Sequence, residues 1–146
     1  MRLHLADDSA TAALGARLAK RARPGDVLLL SGPLGAGKST LARAFIRALL
    51  HDPRLVVPSP TFTLVQSYEM PDGGEIWHFD LWRLNGPEGL AELGWDEADG
   101  RKIVLVEWPD RLGPLTPPDA LRLTLSPDKT GREIVLEGER RWLDGL

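Results

Sequence analysis

The sequence contains no cysteine, so the chain cannot form disulfides, bind zinc through thiolates or use a cysteine nucleophile. It also lacks a long apolar run. Even the longest runs, such as Val27 to Leu30, fall far below the roughly 20 residues of a transmembrane helix. Asp7 and Asp8 interrupt the start of the chain too early for a signal peptide. We therefore expect a cytoplasmic protein that makes no contact with a membrane.

An excess of positive charge is missing as well. Lysine and arginine number 18 against 21 aspartate and glutamate residues, for a formal net charge of −3. Proteins whose main task is to grip nucleic acid are usually basic or carry a basic stripe. The densest basic clusters, 20–23 and 140–141, are interpreted as solvated surface. Any contact with RNA is therefore expected to run through a partner protein.

The length and the hydrophobic pattern predict one soluble α/β domain over residues 1–146. The segments 27–30 and 103–106 are apolar without alternation, which is typical of parallel strands covered by helices on both faces. Residues 121–125 and 133–136 alternate around a turn and predict an antiparallel C-terminal hairpin. The expected architecture is a central, mostly parallel sheet with helices on both faces.

Other segments carry weaker signals for strands, helices and caps. The predicted elements are a strand over 2–5, a helix capped by Asp8 or Ser9, a helix over 38–50, strands over 62–68 and 75–79, and a helix over 87–93 capped by Asn85.

A phosphate-binding loop is the most specific local motif in the chain. Gly32, Gly37, Lys38 and Ser39 match G-x-x-x-x-G-K-[ST] between a predicted buried strand and a predicted helix. Together with Gly35, the glycines let successive backbone N–H groups converge on phosphates, at the positive end of the helix. Lys38 can reach the β- and γ-phosphates, and the Ser39 hydroxyl can bind Mg²⁺. The motif therefore predicts a P-loop NTPase fold.

The base that accompanies those phosphates is indicated by a missing motif. Guanine-specific P-loop proteins commonly use an Asn-Lys-x-Asp loop. The only asparagine here, Asn85, is followed by Gly86. This favours ATP, bound with Mg²⁺, as the nucleotide.

Two acidic residues directly follow predicted strands. Asp80 ends one apolar segment and Glu107 ends another, where P-loop enzymes place the carboxylate that holds magnesium. We therefore predict Lys38, Asp80 and Glu107 as catalytic residues. His78 shares a strand face with Asp80 and is interpreted as structural. Trp108 is assigned equally to core packing and to a surface flanking the site.

Four stretches of the chain together resemble one family of proteins. They are Gly32–Thr40 (GPLGAGKST), Ser59–Val65 (SPTFTLV), His78–Leu84 (HFDLWRL) and Val106–Pro109 (VEWP). In this order and spacing the chain resembles the TsaE family, small bacterial ATPases required to make threonylcarbamoyladenosine in tRNA. The likeness spans about residues 9 to 110 and is looser beyond them.

The resemblance implies roles for particular residues and partners for the protein. Thr11 would bind near the adenine end of ATP, Ser39 and Glu107 would bind Mg²⁺, and Asp80 would support the metal or the attacking water. The proteins TsaD and TsaB are the implied partners, with tRNA reached indirectly through their complex, and Thr61 lies in a loop resembling a switch. The implied phosphate-binding residues are Gly35, Ala36, Gly37, Lys38, Ser39 and Thr40.

The chain departs from the family pattern at three positions, and two other functions stay open. Trp82 stands where tyrosine is usual, Ser39 where threonine is common, and Pro33 where aspartate is common. Serine keeps the hydroxyl that Mg²⁺ needs, whereas tryptophan lacks the phenol. A P-loop also occurs in small-molecule kinases and in binding modules that respond to nucleotide without hydrolysing it.

Overall fold

The computed structural model describes residues 1–98 and 100–146. Its seven strands form one sheet in the order β1-β7-β6-β2-β5-β4-β3. The strands are β1 (Arg2–Leu5), β2 (Val27–Ser31), β3 (Val65–Glu69), β4 (Glu75–Asp80), β5 (Ile103–Glu107), β6 (Leu121–Asp128) and β7 (Gly131–Glu137). The helices are α1 (Asp8–Ala19), α2 (Lys38–Leu49), α3 (Trp95–Ala98) and α4 (Arg140–Leu143). Among the described residues, no helix has the length and apolar character that crossing a bilayer requires.

The centre of the sheet is parallel and its margins are antiparallel. Strand β2 pairs in parallel with β5 and β6, and β5 pairs in parallel with β4. The antiparallel pairs are β3 with β4, β6 with β7, and β7 with β1. The predicted fold class is confirmed, including the C-terminal hairpin formed by β6 and β7.

Both faces of the sheet are covered by other elements. On one face, α1 and α2 bury Leu28 and Leu30 of β2 in the larger hydrophobic cluster. On the other face, Val106 of β5 is buried with Trp95 of α3 and with Leu112 from the 3₁₀ segment Pro109–Leu115. Strand β2 is therefore apolar at every core position, because both of its faces are packed.

The predicted boundaries were wrong at two places near the site. Helix α1 is capped by Asp7, whose side chain accepts from the Ala10 N–H at 2.9 Å, rather than by Asp8 or Ser9. Strand β3 begins at Val65 because Leu64 adopts a left-handed backbone (φ 69°) after the turn that starts at Pro60.

The predicted helix over 87–93 was also wrong. It is two 3₁₀ turns, Pro87–Gly89 and Ala91–Leu93, and the residue that precedes the first is Gly86, rather than Asn85. The conformation of Gly94 (φ 85°) ends the second turn, so the segment cannot continue as one α-helix.

Helices α1 and α2 lie in close contact at Gly15. A Cβ atom there would lie 2.8 Å from the Leu41 carbonyl oxygen and 3.1 Å from the Ala44 Cβ. Glycine therefore permits the contact that presses α1 against the helix following the phosphate loop.

We expect Gly15→Ala to destabilise the protein, although alanine is the better helix former by about 1 kcal/mol. The added methyl group meets a backbone atom, and overpacking of this kind typically costs about 1–3 kcal/mol. Urea unfolding measures the change. Ala13→Gly, on the exposed side of α1, is the control and should lose about 1 kcal/mol from helix propensity alone. A Gly15→Ala protein more stable than the parent would contradict the close contact.

Candidate functional site

The candidate site lies where β2, β5 and β4 end side by side. The register pairs Leu30 with Glu107 and Glu107 with Asp80, so both acids sit at the carboxyl edge beside the loop that follows β2. Ligands in open α/β sheets bind in the crevice outside this edge. A cavity of about 310 Å³ occupies it, lined by Asp8, Leu34, Gly35, Gly37, Lys38, Ser39, Thr40, Ser59, Thr61, Asp80, Glu107, Trp108 and Arg132.

The phosphate loop ends on a glycine that starts α2. Gly37 has a left-handed backbone (φ 105°) and supplies no side chain to cap the helix, so the first N–H groups of α2 are left for another acceptor. Such groups and the helix dipole together favour an anion. Ala36 is different, because its N–H already donates to the Pro33 carbonyl at 3.2 Å.

Lys38 lines the cavity and is buried, with 5% of its surface exposed. Its ammonium group donates to the Gly32 carbonyl and lies 4.0 Å from the centre of the Trp108 ring. Burial lowers the pKa of Lys38, while the carboxylates of Glu107 and Asp80 raise it. Burial disfavours the charged form of Lys38, and an anion entering the cavity would favour that form again.

The two strand-end carboxylates are held by different partners. The Thr61 hydroxyl donates to Oδ2 of Asp80 at 3.1 Å, and the backbone N–H of Trp82 donates to Oδ1 at 3.1 Å. Oε2 of Glu107 lies 2.8 Å from Nε2 of His78. Asp80 and Glu107 are 5% and 3% exposed, so their charges face the cavity rather than bulk water.

Arg132 of β7 is a cavity residue that the sequence motifs did not indicate. Its guanidinium group donates to the Thr11 hydroxyl at 3.1 Å and pairs with the Asp8 carboxylate at 2.8 Å. It also packs against Gly37, where a Cβ atom would lie 2.5 Å from the same group. One arginine from the C-terminal hairpin therefore joins the start of α1 to the phosphate loop.

A comparison with known families identifies the group of proteins to which this site belongs. The family profile "Threonylcarbamoyl adenosine biosynthesis protein TsaE" matches residues 5–134. The chain belongs to the TsaE family. The match extends beyond the motifs around the phosphate loop and includes Arg132.

Individual TsaE proteins and one solved structure support this membership. The chain is 36% identical to the tRNA threonylcarbamoyladenosine biosynthesis protein TsaE of Rickettsia felis, over 84% of this chain and 71% of that protein. The identically named protein of Bacillus subtilis is 36% identical, over 79% and 70%. The crystal structure of Bacillus subtilis YdiB superposes with a TM-score of 0.72 at 29% identity, covering 98% of this chain and 87% of that one.

The structure brings most of the predicted site residues of this TsaE-family chain together. Two lie behind the cavity wall: Ala36 is 1% exposed, and Thr11 is fully buried with its hydroxyl donating to the Asp7 carbonyl at 3.2 Å. The predicted residues that line the cavity are Gly35, Gly37, Lys38, Ser39, Thr40, Asp80 and Glu107.

Two side chains, Arg132 and His78, have a place that sequence reasoning did not give them, and Trp108 takes the position beside the site that was left open together with core packing. Trp108 and Arg132 line the cavity, and His78 bonds Glu107 behind it. Arg83, the arginine nearest to the site in the sequence motifs, instead places its guanidinium group 4.8 Å from the centre of the exposed Phe62 ring. Because side chains alternate along a strand, the sequence predicted His78 on the same face as Asp80, but no sequence motif indicated Arg132.

The donor set suits magnesium bound together with a nucleotide. Mg²⁺ usually takes one or two carboxylates along with phosphate oxygens and waters, rather than a complete cage of protein ligands. Ser39, Asp80 and Glu107 line the same cavity as the phosphate loop. Across residues 1–98 and 100–146, no group of three or more histidine, aspartate or glutamate side chains is gathered for a metal. A metal bound here would complete its coordination with phosphate oxygens and waters.

We expect Arg132→Ala to weaken nucleotide binding by about 10- to 100-fold, the equivalent of one charge-assisted hydrogen bond of about 1.5–3 kcal/mol. The substitution removes a cation from the cavity and releases Thr11 and Asp8. Titration calorimetry with ADP measures the effect. Arg122→Ala, an exposed arginine on β6, is the control and should bind as the parent does. Equal affinity of the Arg132→Ala protein would exclude this residue from the binding site.

Proposed function

We propose that the chain is a Mg²⁺-dependent ATPase that serves the threonylcarbamoyladenosine modification of tRNA by acting on the TsaD–TsaB pair. One observation carries the proposal. A buried phosphate-loop lysine and two buried strand-end carboxylates share one cavity, in a chain of the TsaE family. This arrangement is what P-loop enzymes use to bind and cleave a nucleoside triphosphate.

Binding of ATP rests on the phosphate loop and α2. The N–H groups at the start of α2 point their partial positive charge at the polyphosphate. Lys38 exchanges its bond to the Gly32 carbonyl for the β- and γ-phosphates. Arg132, at the other side of Gly37, adds a second positive charge, and Thr11 holds that guanidinium group in place.

Hydrolysis rests on the carboxylates. In this proposal Ser39 and Glu107 hold Mg²⁺, and Asp80 orients either the metal's water shell or the attacking water. When bound, Mg²⁺ supplies neutralisation of the charge that develops on the phosphates. Asp80 and Glu107 are buried and hydrogen-bonded to protein groups, so their orientation is restricted before the nucleotide arrives, which favours electrostatic preorganisation.

Partner dependence follows from the cations available in the cavity. Lys38 belongs to the phosphate loop, and Arg132, which is paired with Asp8, is assigned in this proposal to nucleotide binding. Among the described residues that line the cavity, no further lysine or arginine remains to serve as an arginine finger. Absence of such a cation costs about 10³ to 10⁵ in rate in P-loop enzymes. We infer slow hydrolysis by the chain alone and faster hydrolysis with TsaD and TsaB. Because the net charge is −3, we also infer that tRNA is reached through those partners.

The proposal is tested by measuring phosphate release from ATP with and without purified TsaD and TsaB. We expect slow release by the chain alone and a clear increase with the pair. The Lys38→Ala protein should bind ATP poorly and release little phosphate in either case. Transfer of labelled phosphate to a small-molecule acceptor would instead identify a kinase. ATP binding with release to neither water nor acceptor would identify a binding module, and fast turnover unaffected by the partners would refute partner dependence.

A second prediction separates binding from chemistry. Glu107→Ala and Asp80→Ala should slow hydrolysis by at least about 10²-fold, because they remove preorganised charge that acts on the transition state. Both should keep Mg²⁺-free affinity for ADP near that of the parent, since Lys38 and the backbone of α2 remain. Single-turnover hydrolysis and calorimetry measure the two quantities. Normal hydrolysis by Glu107→Ala at low Mg²⁺ would show that this residue does not hold the metal.

A further inference from the structure

His78 is a polar residue at a position where the strand otherwise buries its side chains in the core. On the face of β4 that looks towards α2, Ile76 is fully buried and His78 is 2% exposed. A buried imidazole is costly unless it is hydrogen-bonded. The function of His78 should therefore be read from the group that it bonds.

That group is Glu107 on the neighbouring strand. His78 is paired with Leu105 in the parallel register, which places Glu107 diagonally opposite on the same face. Nε2 of His78 and Oε2 of Glu107 lie 2.8 Å apart, and the two side chains are 3% and 4% exposed. The contact is thus shielded from water, where a hydrogen bond fixes orientation most strongly.

The direction of this bond follows from the chemistry of the two groups. An ionised carboxylate can only accept, so Nε2 must carry the hydrogen. Nδ1 of His78 is buried and has no hydrogen-bond partner within residues 1–98 and 100–146. The Nε2–H tautomer therefore satisfies Glu107 and leaves only a lone pair unmatched at Nδ1, whereas the other tautomer would leave a buried N–H unmatched and two lone pairs opposed.

We infer that His78 is a positioning residue for Glu107. By donating to Oε2, it fixes the carboxylate in one rotamer and leaves Oε1 for Mg²⁺. The inference rests on the proposed function, because Glu107 needs this orientation only if it holds the metal of a nucleotide complex. Outer groups that orient a metal ligand in this way are typically worth 10- to 100-fold in metal affinity.

The test compares ADP affinity with and without Mg²⁺ by calorimetry in four full-length proteins: the parent, His78→Leu, His78→Gln and His78→Asn. The Gln amide reaches about as far as Nε2 and can donate to Oε2. The Asn amide is one methylene shorter and ends near the position of Nδ1. We expect His78→Leu and His78→Asn to lose about 10- to 100-fold of the Mg²⁺-dependent part of the affinity. His78→Gln should keep most of it, and Mg²⁺-free affinity should change little in all three.

Two further measurements separate positioning from a merely structural role. Circular dichroism and thermal unfolding identify any variant that fails to fold. Comparison of His78→Gln with His78→Asn then shows whether the position of the donor or the volume of the side chain matters. In the parent, ¹⁵N NMR of the three histidine rings should show His78 as the Nε2–H tautomer.

Failure of this inference differs from failure of the proposed function. If the parent binds ADP with a clear Mg²⁺ effect and all three variants match it, the positioning role is wrong and the proposed function stands. An Nδ1–H tautomer in the parent would likewise overturn the positioning role. If the parent binds neither ATP nor ADP, the proposed function fails and this inference fails with it.

Discussion

Parallel pairing of β5 with β2 on one side and β4 on the other is the constraint on which the site depends. It sets Glu107 beside both Leu30, one residue before the end of β2, and Asp80, the last residue of β4. Side chains alternate between the faces of a strand, so a shift of β5 by one residue would turn Glu107 away from α2. It would then point into the cluster around Trp95, far from the phosphate loop. The hydrophobic packing on both faces therefore fixes the register, and the register fixes the charges.

Two of the charges, those of Lys38 and Asp80, each have internal partners that a ligand can replace. Lys38 is held by the Gly32 carbonyl and the Trp108 ring, both weaker partners for an ammonium group than a phosphate. Asp80 is held by neutral donors, the Thr61 hydroxyl and the Trp82 N–H. Buried charges without any partner would be strongly destabilising. The structure avoids that cost, and Lys38 and Asp80 can still exchange their internal partners for a ligand.

Local sequence patterns predicted those parts of the site that are themselves local. The glycine spacing gave the phosphate loop its place, and strand-end position identified Asp80 and Glu107. Arg132 enters from β7, more than 90 residues after the loop it contacts, through a hairpin register that no motif encodes. The bond between His78 and Glu107 likewise depends on which strands are neighbours. The start of strand β3 after Leu64 and the end of the second 3₁₀ turn at Gly94 were missed because single backbone conformations, rather than hydrophobic periodicity, decide them.

Asp80 connects the site with the surface around it. Its two oxygens bind two separate segments, the turn that contains Thr61 and the chain that leaves β4 at Trp82. Phe62 follows Thr61 and is 81% exposed, and Trp82 is 42% exposed. The Arg83 guanidinium group lies over the Phe62 ring and joins the two segments a second time. A ligand that recruits Asp80 therefore competes with bonds that position two exposed aromatic side chains, and under the proposed function the state of the nucleotide would alter the surface offered to a partner.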